Sequence, residues 1–69
     1  MNRIPVESRT IASAGYDATT STMEVAFRSG AVYQYFAVPR SIFEGILASD
    51  SNGRFFNQHI RDVYPFRKT

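Results

Sequence analysis

The sequence predicts a small α+β fold, a three-stranded antiparallel meander followed by two short helices packed on one face. Three observations point there. Thr22-Met23-Glu24-Val25-Ala26-Phe27-Arg28 alternates apolar and polar residues strictly, the period of a half-buried strand. Ser29-Gly30 joins it directly to a second run rich in β-branched and aromatic residues. After Pro39 the apolar residues switch to helical spacing, at Ile42, Phe43, Ile46 and Leu47.

The elements follow in order. Residues 1–7 and 66–69 read as tails, leaving a single domain with a folded core over about residues 8–65. Residues 9–16 form a first, weakly patterned strand, diluted by small residues, in which Gly15 marks a bulge or a close backbone approach. The polar segment 17–21 ends it. In the second strand Met23, Val25 and Phe27 share the face that meets the helices, with Thr22, Glu24 and Arg28 opposite. In the third, residues 31–37, Tyr33 and Tyr35 alternate with Val32, Gln34 and Phe36. Register decides which set is core, and an exposed Gln34 would bury the tyrosines. The first helix covers residues 39–48, with Pro39 in its first turn and Gly45 admitting close packing on the sheet. Ser49-Asp50-Ser51-Asn52-Gly53 supplies turn and cap chemistry. A second helix follows with Phe55, Phe56, His59, Ile60 and Val63 on its apolar face, ended by Pro65.

With 69 residues, such a chain buries only about 60% of the surface it exposes when unfolded, so its six Phe and four Tyr are needed first for the core. There is no Cys, which excludes a disulfide framework and a thiolate zinc site. His59 is the sole histidine and has no carboxylate cluster at ligand spacing, so no metal and no cofactor is expected. No serine sits in a G-x-S-x-G elbow, and Walker A and G-x-G-x-x-G loops are absent. A binding module is expected rather than an enzyme. No run is long and apolar enough to span a bilayer, so the protein is expected to be cytoplasmic with no membrane partner.

Taken in order, these residues resemble the KTSC domain family, small domains named for a segment at the C-terminus of some lysyl-tRNA synthetases and found also as stand-alone proteins. The resemblance rests on Ser8, Ile11, Gly15-Tyr16-Asp17, Met23-x-Val25-x-Phe27 with Gly30, and Tyr33-x-Tyr35-Phe36 with Val38-Pro39. It continues through Phe43, Leu47-Ala48, Ser51-x-Gly53-x-Phe55-Phe56-Asn57, and Ile60-Arg61 followed by Tyr64. It implies an RNA-related or accessory binding role, with no activity established for the domain. Asn52 departs from the pattern, in which a Lys often precedes the glycine.

The net charge of +2 is small, but Arg54, Arg61, Arg67 and Lys68 gather in the last quarter of the chain. Ser51, Asn52, Gly53 and Arg54 open the second helix, where free backbone N–H groups and a guanidinium can hold a phosphate; alternatively Ser51 only caps the helix and Gly53 only permits the turn. Arg54 and Arg61, seven positions apart, fall on one helical face with Asn57 and Gln58, a positive ridge or an ordinary solvated surface. Tyr33 and Tyr35, with Tyr16 on the first strand, are candidate aromatic contacts that would stack bases if exposed. The expected function is noncatalytic binding of RNA or another phosphate-bearing ligand through the basic C-terminal helix, with Arg28, Arg67 and Lys68 as further cations. The alternatives are a protein-interaction or self-assembling domain, built on an open sheet edge, and an oligomer that holds a small nucleotide between subunits.

Overall fold

Strict alternation puts Thr22–Phe27 at the centre of the sheet, with Met23 and Val25 fully buried. A computed structural model describes residues 2–69; Met1, the first residue of the expected N-terminal tail, lies outside them. In chain order the elements are β1 (Arg3–Pro5), β2 (Ile11–Asp17), β3 (Thr22–Phe27), β4 (Val32–Tyr35), α1 (Arg40–Ala48), α2 (Asn52–His59) and β5 (Phe66–Lys68). All neighbours pair antiparallel in the order β1-β2-β3-β4-β5.

The sheet therefore has five strands and not three. Both segments read as tails are its edges. Each is only three residues long and exposed throughout, so neither has the apolar alternation that marks a strand in sequence. Pairing makes them strands. Arg3 lies opposite Gly15 and Phe66 opposite Tyr35. The Arg28 side chain donates from Nε to the Ser8 carbonyl at 2.5 Å and from Nη2 to the Val6 carbonyl at 3.2 Å, tying the chain after β1 to the β3–β4 turn. At the other edge the Thr69 amide donates to the Val32 carbonyl at 2.8 Å. The bulge in β2 falls at Ala12, between the pairs Ile11–Phe27 and Ser13–Ala26, and not at Gly15.

The β3–β4 hairpin turns as its residues require. Gly30 adopts φ +99°, a conformation that side-chain-bearing residues rarely accept, and the Phe27 amide donates to the Ala31 carbonyl at 2.8 Å. Register places Val25 opposite Tyr33 and Met23 opposite Tyr35, which puts both tyrosines on the helix side. Gln34 falls on the open side, where its amide donates to Glu24 Oε1 at 3.3 Å and Arg3 Nε pairs with Glu24 Oε2 at 3.6 Å.

Ile11, Met23, Val25, Val38, Ile46 and Ile60 are fully buried, and Tyr35 and Phe56 nearly so, between the sheet and the helices. Each such side chain contributes roughly 1.5–3 kcal/mol. Gly45 is close-packed, though on α2 and not on the sheet: a Cβ there would lie 2.5 Å from Phe55 Cζ. Asn52 also joins the helices. It is buried and donates from Nδ2 to the Ile46 carbonyl at 2.5 Å, satisfying one of the last carbonyls of α1. Helix α2 ends at His59, so Ile60 is its C-cap and Arg61 lies beyond it. Val63, expected on its apolar face, is 57% exposed, and His59 is exposed against the Phe55 ring.

Two stability predictions follow from the helix junction. Gly45→Ala gains helix propensity but overpacks against Phe55; the net loss is about 1–2 kcal/mol, and the melting midpoint falls by several degrees. In a Phe55→Ala background the same substitution raises the midpoint. Asn52→Ala leaves the Ile46 carbonyl without its partner, and thermal or denaturant unfolding should report a loss of roughly 1–3 kcal/mol.

Candidate functional site

The two helices cover the sheet unevenly. Helix α1 lies over β2, where the Phe43 ring stacks on Tyr16 at 5.3 Å between centroids and the Tyr16 hydroxyl donates to the Val38 carbonyl at 2.6 Å. Helix α2 sets Phe56 edge-on to Phe27 at 5.3 Å and to Tyr35 at 5.5 Å. Beyond the Phe56 ring neither helix covers the sheet, and the aromatic surface continues into the open. Tyr33 meets Phe27 at 5.7 Å and Phe66 at 5.7 Å, and Phe66 remains 54% exposed.

The uncovered end of the sheet is the floor of a cleft of about 630 Å³, within the range of small-molecule sites. Phe27, Tyr33, Tyr35, Phe56 and Phe66 form the floor. Arg9, Arg28, Arg61 and Asp62 carry its charge, with the Thr10, Ser29 and Asn57 side chains beside them. The balance is positive. Arg28 is pinned by the two backbone carbonyls it donates to, whereas Arg9 and Arg61 are exposed and make no ion pair or side-chain hydrogen bond among the described residues. Desolvation is the main cause that raises the Tyr35 hydroxyl above the usual phenol range. The neighbouring Tyr33 and Asp62 charges add to the shift and Arg61 opposes it. Tyr35 is thus a neutral hydroxyl at physiological pH.

The residues singled out in the sequence do not form one site. Ser51 caps α2, its hydroxyl accepting the Arg54 amide at 3.3 Å. Asn52 turns inward to Ile46, which removes its side chain from ligand contact. Gly53, Asn57 and Arg61 do line the cleft. Arg54 does not, because it projects from a different side of α2 than Gly53 and Asn57, and the helix stops before Arg61. The ridge expected from Arg54 to Arg61 is therefore absent. Tyr35 is 4% exposed and cannot stack a base, while half-buried Tyr33 presents part of its ring. Tyr16 is consumed by α1. Arg67 pairs across from Gln34 and so belongs to the open face of the sheet.

Sequence reasoning missed Arg9, Phe66 and Asp62. Arg9 reaches the cleft because β2 pairs with β3 and the Arg28 amide donates to the Thr10 carbonyl at 2.9 Å, a register that composition does not encode. For Phe66 a signal existed: a lone aromatic between Pro65 and a basic pair is unusual in a solvated tail.

Comparison with known proteins places this architecture. A crystal structure of a KTSC domain protein from Yersinia pestis superposes with a TM-score of 0.96 at 37% identity, over 99% of this chain and 96% of that one. A protein of Stutzerimonas stutzeri is 45% identical over 58 residues, 84% of this chain and 82% of its own length. The lysine–tRNA ligase of Nostoc punctiforme is 36% identical over 62 residues, which are 90% of this chain but 11% of that enzyme. The family model of the KTSC domain matches residues 7–64, and this chain belongs to the KTSC domain family.

Proposed function

We propose that this domain is a noncatalytic binding module for RNA or another phosphate-bearing ligand, which it takes in the cleft between α2, the β3–β4 turn and β5. The observation that carries this reading is the pairing of an open aromatic floor, Tyr33 and Phe66, with unengaged guanidinium groups, Arg9 and Arg61. A base laid on an aromatic ring gains roughly 1–3 kcal/mol whatever its identity. Guanidinium groups at the rim match phosphate geometry. The cations differ from those of a basic helix face: Arg9 joins Arg61, while Arg54 and Arg67 lie elsewhere. Likeness to a segment of enzymes named as lysine–tRNA ligases supports an RNA setting for the fold.

Self-assembly through a sheet edge is the weaker reading. Both edges are open and carry exposed Ile4 and Phe66, but each strand spans three residues and Pro5 has no amide to donate. A molecular mass that rises with concentration would favour it.

Titration of a short labelled single-stranded RNA by fluorescence polarisation tests the cleft. Affinity should fall with salt at a slope of about −0.7 for each phosphate neutralised. The Arg9→Ala, Arg61→Ala double variant should lose roughly tenfold or more in affinity and flatten that slope, whereas Arg54→Ala should stay within about twofold of the parent. Salt-insensitive binding, or equal losses from Arg54→Ala, contradicts the cleft. Free nucleotides run in parallel distinguish a small ligand from a strand.

A further inference from the structure

The cleft holds one carboxylate among its guanidinium groups, and that carboxylate stands on a left-handed backbone. Asp62 has φ +62°, a conformation that costs a non-glycine residue on the order of 1 kcal/mol and that Asp and Asn accept more readily than other side chains. The turn is fixed from behind. The Ile60 and Arg61 amides both donate to the Phe56 carbonyl, at 3.0 and 2.9 Å, and the Val63 amide donates to the Ile60 carbonyl at 3.1 Å. As a result two consecutive, oppositely charged side chains, Arg61 and Asp62, both line the cleft. Both charges also act on the phenol of Tyr35 in its floor. Asp62 forms no ion pair and accepts no side-chain hydrogen bond among the described residues.

An unengaged carboxylate is out of place in a site that only neutralises phosphate, because it weakens the field of the arginines beside it. It has a use if the ligand carries paired N–H donors. We propose, resting on the reading of the cleft given above, that the site selects guanine: Asp62 accepts from the Watson–Crick edge, Arg61 or Arg9 donates to the other edge, and Tyr33 and Phe66 take the face. The chemistry separates the four bases. Guanine alone presents two adjacent donors, N1–H and N2–H, which match the two carboxylate oxygens, and two adjacent acceptors, O6 and N7, which match a guanidinium fork. Adenine and cytosine each set an acceptor nitrogen beside their amino donor, and uracil flanks its single N–H with two carbonyls. Each of these brings a lone pair against a carboxylate oxygen.

The test is a ¹H–¹⁵N chemical-shift titration of the whole chain with GMP, AMP, CMP, UMP and xanthosine monophosphate, for the parent and for Asp62→Asn. Asparagine keeps the shape and tolerates the same backbone, and it offers one donor and one acceptor, the complement of xanthine's C2 carbonyl and N1–H. The parent should bind GMP about tenfold more tightly than the other nucleotides, with shifts at Asp62, Arg61 and Phe66. Asp62→Asn should lose that margin, and xanthosine monophosphate should then bind at least as well as GMP. Equal binding of all five nucleotides by the parent, with shifts still centred on the cleft, overturns guanine selection and leaves the cleft as a binding site. An unchanged GMP preference in Asp62→Asn assigns selectivity elsewhere and equally overturns the role of Asp62. No shift with any nucleotide overturns this inference; the reading on which it rests is overturned as well if a short single-stranded RNA also leaves the cleft resonances unmoved.

Discussion

The seating of α2 on α1 at Gly45 decides where this domain is open. The Phe55 ring fills the space that a side chain at Gly45 would occupy, and the Asn52 amide closes the junction on the Ile46 carbonyl. Those two contacts, six to ten residues apart in sequence, are local enough to form without long loop closure. They hold α2 so that Phe56 reaches Phe27 and Tyr35 but stops short of Tyr33 and Phe66. A five-stranded sheet is wider than two short helices can cover. The uncovered margin is the cleft.

Strand β5 extends the aromatic floor of that margin. It returns after both helices to pair with β4, carrying Phe66 beside Tyr33 and Tyr35 at 5.7 Å from each. Charge is divided between the two sides of the sheet. Arg3, Glu24, Gln34 and Arg67 occupy one register row on the open face, where Glu24 takes both the Arg3 ion pair and the Gln34 hydrogen bond. Arg9, Arg28 and Arg61 meet around the cleft on the other. A net charge of +2 thus understates the local field, since cations far apart in sequence converge on a partly apolar surface.

What was legible in the sequence was what local chemistry specifies. The β3–β4 hairpin follows from alternation and from Gly30, α1 from Pro39 and its apolar stripe, and the start of α2 from Ser51, whose hydroxyl does accept the Arg54 amide. The placement of Tyr33 and Tyr35 on the helix side follows from turning Gln34 to the opposite face, where it is half-buried against Glu24. The edges were not legible, because Arg3–Pro5 and Phe66–Lys68 have no strand signal until a neighbour supplies their hydrogen bonds. The same limit applied to the site. Arg61 looked like a helical neighbour of Arg54 because nothing local announces that α2 ends at His59, and Arg9 lines the same cleft as Arg61 only because the chain entering β2 runs beside β3, where the Arg28 amide donates to the Thr10 carbonyl. The family resemblance is confirmed by the KTSC domain model over residues 7–64, and likeness to the Yersinia pestis KTSC domain protein extends over nearly the whole of both chains.

The most direct measurement of the central claim, that the uncovered aromatic margin is the binding surface, is a set of intermolecular nuclear Overhauser effects between base protons of a bound oligonucleotide and the ring protons of the domain. The cleft predicts contacts to Phe66 and Tyr33, with none to Arg54 or Gln58 on the outer side of α2. Contacts confined to that outer side, or to Glu24 and Gln34 on the open face of the sheet, would contradict it.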